Sequence, residues 1–172
     1  MANTGQESEV NMYRKILIPL DGSELAECAL DHAKTLLEAG PAAEVVLLNV
    51  VVVDIHWREL NVGEEGHSIT FDINTIIKSY MDKSRKYLAK VKYRFASGLP
   101  SADMKVKTEA LESDRPSETI TDYARKNGVD LIVMATHGYT GMKKMMLGSV
   151  AFKVLSESTV PVLLVRPEAC RS

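Results

Sequence analysis

A glycine-rich stretch between two apolar runs carries the residues best suited to chemistry. It extends from Ala135 to Ser149 and contains Gly138, Gly141 and Gly148. Glycine lets backbone amides approach an anion closely, and the apolar periodicity after Ser149 predicts a helix whose N-terminus would attract negative charge. The spacing is neither that of a P-loop nor the GxGxxG of dinucleotide-binding folds. This combination predicts a phosphate site without a P-loop lysine.

A second polar stretch, residues 19–23, follows the first apolar run. Ligands of open parallel sheets bind beyond the carboxyl ends of the strands, at the crevice where the chain order reverses. Residues 19–23 and 135–138 are the two strand ends most suited to that crevice. On composition alone, a glycine-rich strand-to-helix loop is as often structural as ligand-binding, so both interpretations stay open at this point. His137 is placed to hydrogen-bond phosphate or ribose.

Strands and helices that position these stretches alternate along the chain. Short runs rich in branched apolar residues predict strands, and apolar residues at 3.6-residue spacing predict helices. The predicted strands span residues 15–20, 44–52, 104–111, 131–135 and 160–165, and the helices lie at 23–37, 73–95, 116–126 and 150–155. Five strands alternating with four helices predict a single α/β domain, a parallel sheet with helices on both faces.

Composition narrows the classes of partner. The 172 residues are 45% hydrophobic and 26% charged, with 21 basic against 23 acidic side chains and a net charge of -2. Without a basic excess, no nucleic-acid binding is expected. The longest apolar run, residues 45–53, is interrupted by Asn49 and too short to cross a bilayer, so no membrane association is expected. Cys28 and Cys170 lack the paired spacing that a zinc site needs, and two such cysteines do not form a disulfide scaffold. We therefore expect a reducing, cytoplasmic location. No metal cluster is visible among the histidines, which are His32, His56, His67 and His137.

The ends of the chain and one long connection stand apart from this pattern. We expect a flexible tail at residues 1–12, the domain at 13–167 and a second tail at 168–172. Residues 54–70 are too long for an ordinary connection, and they are interpreted as a lid or partner-binding loop or, equally, as a disordered insertion. Pro161 cannot donate to a strand ladder, so the last strand is expected to begin at Pro161 or to lie at an edge of the sheet. A bare apolar edge at residues 162–165 predicts a homodimer.

Three segments of the chain resemble the universal stress protein family. They are residues 15–23, residues 130–138 followed nine residues later by Gly148-Ser149-Val150, and residues 160–165. The resemblance covers the chain from about Tyr13 to Pro167. It implies an open five-stranded sheet of order 3-2-1-4-5, Rossmann-like and similar to the adenine nucleotide alpha hydrolases. It also implies dimers and, in one branch of the family, an ATP site built from G-x2-G-x9-G-(S/T).

Carrying that motif across residue by residue implies a nucleotide site. Asp21 would hold the adenine or ribose side, Val50 would pack on the base, and Gly138 and the segment 148–150 would wrap ribose and phosphates. The chain departs from the motif at the first glycine, which is Ala135. The ligand implied is ATP, or else ADP or AMP, with Mg²⁺ held through phosphates and water. The predicted nucleotide-binding residues are Pro19, Leu20, Asp21, Val50, Met134, Ala135, Thr136, His137, Gly138, Gly141, Gly148, Ser149 and Val150.

The resemblance leaves more than one function open. In the first hypothesis, the protein is a dimeric stress-response or signalling module with protein partners of unknown identity. An adenine nucleotide bound at the switch point between strands 1 and 4 biases the shape of the dimer or its choice of partner. The alternative is a nucleotide-free dimer that acts as a protein-interaction module, because another branch of the family lacks the site. A dedicated enzyme is not expected, since no nucleophile elbow or P-loop lysine accompanies Asp21 and His137. At most, slow ATP hydrolysis is expected.

Overall fold

The computed structural model describes residues 13–39, 44–53, 73–99, 104–137 and 147–166. Within these ranges, strands and helices alternate as the hydrophobic pattern predicts. The elements are β1 (Lys15–Pro19), α1 (Glu24–Ala39), β2 (Glu44–Val51), α2 (Ile73–Ala96), β3 (Lys105–Glu112), α3 (Pro116–Lys126), β4 (Leu131–Ala135), α4 (Ser149–Glu157) and β5 (Val162–Val165). The predicted tails at 1–12 and 168–172 and the long connection at 54–70 lie outside the described residues.

The five strands form one parallel sheet in the order β3-β2-β1-β4-β5. This order confirms the expectation drawn from the family resemblance. From β1 the chain builds outward through β2 to β3, then returns to the other side of β1 with β4 and β5. The direction of winding therefore reverses between β1 and β4, and a crevice opens there at the carboxyl ends of the strands.

Alternating strand residues build a core on each face of the sheet. On one face, Ile16, Leu47 and Val133 pack with apolar residues of α1 and α2. On the other face, Leu17 and Met134 pack with residues of α3 and α4. Two successive helices cover each face, as right-handed crossovers require once the winding has reversed. In the described residues, no helix has the length and apolar character needed to cross a bilayer.

Two carboxylates fasten the amino ends of the strands, opposite the crevice. The Asp130 Oδ2 atom accepts hydrogen bonds from the backbone amides of Arg14, at 2.9 Å, and Lys15, at 2.8 Å, which holds β4 against β1. Glu44 on β2 forms ion pairs with Lys15 on β1 at 2.8 Å and with Lys107 on β3 at 2.7 Å. These contacts link β1, β2, β3 and β4 at their amino ends.

The fifth strand is shorter than the sequence predicts. It begins at Val162, and Pro161 contributes only its carbonyl, which accepts a hydrogen bond of 2.9 Å from the Ile132 amide. The strand lies at the edge of the sheet, as Pro161 led us to expect. On α4, Leu155 is 47% exposed, because Ala151 and Val154 supply the buried stripe of the helix.

Candidate functional site

A cavity of about 450 Å³ opens at the crevice between β1 and β4. Its walls come from the carboxyl ends of β1, β2 and β4 and from the amino-terminal parts of α1, α3 and α4. The lining residues are Pro19, Leu20, Asp21, Ala26, Leu48, Val50, Val52, Pro116, Ile120, Met134, Ala135, Thr136, His137, Gly148, Ser149, Val150 and Ala151. Its volume falls in the range of sites that bind small molecules.

The turn after β1 is built by residues 21–23. Gly22 has a φ of 89°, a left-handed conformation that side chains rarely adopt. The Asp21 Oδ1 atom accepts from the backbone amide of Ser23 at 2.9 Å and from its hydroxyl at 2.6 Å. The Ser23 Oγ atom in turn accepts from the Ala26 amide at 3.1 Å and caps α1. Asp21 thus forms the turn as well as lining the cavity.

The passage from β4 to α4 is closed by backbone hydrogen bonds. The Thr136 amide donates to the Val165 carbonyl at 2.8 Å, and the Gly148 amide donates to the Thr136 carbonyl at 2.8 Å. Gly148 has a φ of -59°, which any residue adopts. Space favours glycine here, because a Cβ on Gly148 would lie 3.1 Å from the Thr136 oxygen, closer than an ordinary van der Waals contact. Gly148 therefore permits a close approach of backbone to backbone.

Helix α4 directs its N-terminus toward the cavity. Gly148 is the N-cap residue and supplies no side-chain cap, while Ser149 and Val150 of the first turn line the cavity. The first amides of a helix have no partner within the helix, and they form the positive end of its dipole. The first turn of α4 contains no acidic residue that would neutralise this end. A phosphate group is the ligand that such a helix end favours.

Opposite this polar mouth, the cavity wall is apolar. Leu48, Val50 and Val52 alternate along β2 and just after it, so they share one face of the sheet with Met134 of β4. Sequence reasoning selected Val50 and Met134 but missed other lining residues, namely Ala26, Leu48, Val52, Pro116, Ile120 and Ala151. Side chains alternate between the two faces along a strand, so Leu48 and Val52 lie on the same face as Val50. This alternation is the signal that identifies Leu48 and Val52. An apolar slot of this kind suits the faces of a flat ring.

His137 lies at the end of β4 beside the cavity. Its Nδ1 atom is 2.9 Å from the hydroxyl of Thr136, a buried residue. Its Nε2 atom is buried and has no hydrogen-bond partner in the described part of the chain. The Thr136 hydroxyl therefore fixes one side of the imidazole, and the other side carries a buried polar atom that no described residue satisfies.

The structure brings most of the predicted nucleotide-binding residues to this one cavity. The lining includes Pro19, Leu20, Asp21, Val50, Met134, Ala135, Thr136, His137, Gly148, Ser149 and Val150. Gly138 and Gly141 lie outside the described residues. The lining is a geometric finding, and the roles of these residues toward a nucleotide stay a prediction. Among the residues described, no three His, Cys, Asp or Glu side chains are close enough to hold a metal ion.

The fold and the cavity together define an open parallel α/β protein with a ligand-sized cavity at its switch point. A model of the universal stress protein family matches residues 12–56 and 70–166. The chain therefore belongs to the universal stress protein family, which confirms the resemblance seen in the sequence.

Individual relatives agree with this assignment. The chain is 34% identical over 161 residues to universal stress protein MJ0577 of Methanocaldococcus jannaschii, a match that covers 90% of this chain and 96% of the relative. It is 32% identical over 161 residues to universal stress protein YxiE of Bacillus subtilis, with 90% and 100% covered.

Solved structures share the fold. The structure of MJ0577 superposes with a TM-score of 0.69 over 90% of this chain and 96% of that chain, at 34% identity. The universal stress protein UspA of Lactobacillus plantarum gives a TM-score of 0.70 at 21% identity, with 90% and 98% covered, and shows the shared fold alone.

Proposed function

We propose that this universal stress protein binds ATP, or ADP or AMP, in the cavity between β1 and β4 and acts as a dimeric stress-response or signalling module. The observation that carries the proposal is the division of the cavity into an apolar slot and a helix N-terminus. A nucleotide has the same two halves, a flat base and a charged phosphate chain.

The apolar slot supports binding of the base. Val50 and Met134 lie on the sheet side, and Pro116 and Ile120 of α3 face them across the cavity. Transfer of apolar ring surface from water stabilises the complex by roughly 25 cal/mol per Å². Asp21 lies at the rim of the same cavity, where its carboxylate suits the hydroxyl groups of ribose or the amino group of adenine.

The phosphate chain is proposed to lie at the mouth formed by α4. The backbone amides of Ser149 and Val150 and the Ser149 hydroxyl supply donors there. The free Nε2 atom of His137 adds a further group on the β4 side. Gly138 and Gly141 are proposed to complete the phosphate loop on the basis of the family motif.

Mg²⁺, where present, is proposed to be held mainly by the phosphates and water. Magnesium prefers oxygen ligands and usually retains several waters, with one or two protein groups. The Asp21 carboxylate and the Ser149 hydroxyl fit that donor set, because both line the cavity. We propose binding without dedicated catalysis, with at most slow ATP hydrolysis, since no nucleophile elbow or P-loop lysine pattern accompanies Asp21 and His137 in the sequence.

A second candidate function is a nucleotide-free protein-interaction module, and Ala135 is the residue that favours it. Its methyl group stands where the ATP motif has glycine, and Ala135 lines the cavity. Among the described residues, only glycines have a positive φ. Ala135 therefore has a backbone conformation that does not strain alanine. The methyl narrows the cavity without distorting the backbone, which leaves nucleotide binding as our first proposal.

The dimer is proposed to form through the edge strand β5. Val162, Leu163 and Leu164 are only half-buried, and β5 pairs with β4 on one side alone. An apolar edge strand with unpaired backbone groups favours pairing with a second copy. A light-scattering mass of one chain at working concentration would contradict the dimer.

The nucleotide proposal is tested by denaturing the purified protein and identifying any released nucleotide by mass spectrometry. We expect an adenine nucleotide, and we expect added ATP to raise the melting temperature of the stripped protein. A stripped protein whose melting temperature does not respond to ATP, ADP or AMP would favour the nucleotide-free module.

A further inference from the structure

Two buried polar side chains connect helix α2 to the rim of the cavity. The Asn49 Nδ2 atom donates to the Leu20 carbonyl at 2.6 Å, and the Ser84 hydroxyl donates to Asn49 Oδ1 at 2.6 Å. Asn49 is 8% exposed and Ser84 is 7% exposed. Buried polar groups are costly unless they are hydrogen-bonded, so an apolar pair would be expected here if packing were the only demand.

The partner of Asn49 is the residue at which β1 leaves the sheet. Leu20 is fastened to β2 at both of its backbone polar groups, because its amide also donates to the Leu48 carbonyl at 2.7 Å. Beyond Pro19, the last residue of β1, the Asn49 side chain replaces the strand hydrogen bond that backbone groups no longer supply. Leu20 and the next residue, Asp21, both line the cavity.

Asn49 and Ser84 themselves are not part of the cavity wall. Along β2, Leu48 and Val50 line the cavity, whereas Asn49 has the opposite parity and faces α2. A ligand in the cavity therefore does not touch either side chain. The hydrogen bond to the Leu20 carbonyl is the contact by which the Asn49 side chain reaches the cavity rim.

We infer that Asn49, oriented by Ser84, is a positioning residue that holds the β1 rim in its ligand-binding geometry, an inference that rests on the proposed nucleotide function. The Ser84 hydroxyl occupies the Asn49 Oδ1 atom, which orients the amide so that Nδ2 faces the Leu20 carbonyl. Without this link, Leu20 and Asp21 sample other positions. The apparent affinity then falls in proportion to the fraction of molecules whose rim is competent.

The test compares Ser84→Ala and Asn49→Leu with Val91→Ala. Ser84→Ala removes only the hydroxyl that orients Asn49, and Asn49→Leu keeps a similar volume but removes the donor to Leu20. Val91 is 1% exposed and packs from α2 into the same core. Its truncation destabilises the same helix without touching these hydrogen bonds, so it serves as the matched control.

The first readout is amide hydrogen exchange in the absence of any ligand. We expect Ser84→Ala and Asn49→Leu to lose protection at Leu20 and Ser23 beyond the change in global stability, and Val91→Ala to lose it only in proportion to that change. Equal loss in all three variants would overturn the positioning role. This readout decides the inference even if the wild type binds no nucleotide, in which case only the proposed function fails.

The second readout is the Kd of a fluorescent ATP analogue. We expect the Ser84 and Asn49 variants to bind about tenfold more weakly than wild type, and Val91→Ala to bind within about twofold. If wild type binds tightly and both Ser84→Ala and Asn49→Leu bind with the same affinity as wild type, the inference is overturned and the nucleotide proposal stays intact. Asn49→Leu alone could fail to fold, and Ser84→Ala then decides the outcome.

Discussion

Gly148 and Thr136 are in direct backbone contact across the mouth of the cavity. The Gly148 amide donates to the Thr136 carbonyl at 2.8 Å, and a Cβ on Gly148 would lie 3.1 Å from that same oxygen. This contact sets the distance between the end of β4 and the first turn of α4. The two elements that we propose to hold the phosphates are therefore fixed to each other by one glycine.

Replacement of Gly148 by valine should separate these two elements. The branched side chain would force the first turn of α4 away from β4, so we expect ATP affinity to fall by at least about tenfold. A loss of about 1–3 kcal/mol in the free energy of unfolding should accompany it. Gly98→Ala is the control, because a Cβ there meets only the flexible end of Lys34, at 3.0 Å. Equal ATP affinity in both variants would contradict the proposed phosphate position.

Filling the apolar slot should abolish nucleotide binding. We expect Val50→Trp to place its indole ring in the space proposed for the base and to remove the ATP-induced rise in melting temperature. The matched control is Leu155→Trp, since Leu155 lies on the outer side of α4 and is 47% exposed. A thermal-shift titration measures both. Undiminished stabilisation of Val50→Trp by ATP would place the base elsewhere.

Asp130 should contribute strongly to stability although it is far from the proposed ligand. Its carboxylate accepts two backbone hydrogen bonds, from Arg14 and Lys15. Hydrogen bonds to charged groups are typically worth about 1.5–3 kcal/mol, so Asp130→Ala should lower the free energy of urea unfolding by about 2–4 kcal/mol. Asp114→Ala should change it by less than about 0.5 kcal/mol, because that side chain is 89% exposed. Similar losses in the two variants would show that the tie between β1 and β4 is unimportant.

Glu44 should make stability depend on pH in the acid range. Hydrogen bonds from Lys107 and then Lys15 hold the pKa of Glu44 below its ordinary value of 4.5. Because the folded pKa is the lower one, this contribution is fully present above the ordinary value and is lost as the pH falls through the folded pKa. We expect Glu44→Gln to be less stable than wild type at pH 7, by about 1 kcal/mol or less.

The difference between wild type and Glu44→Gln should shrink as the pH is lowered from 4.5, the ordinary pKa of glutamate, through the lower pKa of the folded protein. Urea unfolding of both proteins at a series of pH values measures it. A difference that stays constant down to pH 3 would contradict the assigned ion pairs.

The strands and the reversal of winding could be anticipated, because buried parallel strands appear as continuous apolar runs and the family resemblance supplied their order. Val50 and Met134 were likewise reached from the sequence. Pro116 and Ile120 were not, since the sequence shows them only as a helix start and an apolar helix position. Their contact with the cavity depends on how α3 packs on the sheet, which no local pattern encodes.

Asn49 illustrates the same limit. In the sequence it is a polar interruption of an apolar run, and nothing nearby indicates its partners. Only the fold brings Leu20 and Ser84 to either end of its amide group. A buried asparagine inside a predicted strand is therefore a signal that a partner exists, but the partner's identity comes from tertiary structure.

Isothermal titration of ATP into protein stripped of resident ligand by unfolding and refolding tests the central claim most directly. We predict saturable binding of one ATP per chain, with binding lost in Val50→Trp and kept in Leu155→Trp. Refolded protein that has native circular dichroism yet gives no binding heat with ATP, ADP or AMP at millimolar concentration would contradict it.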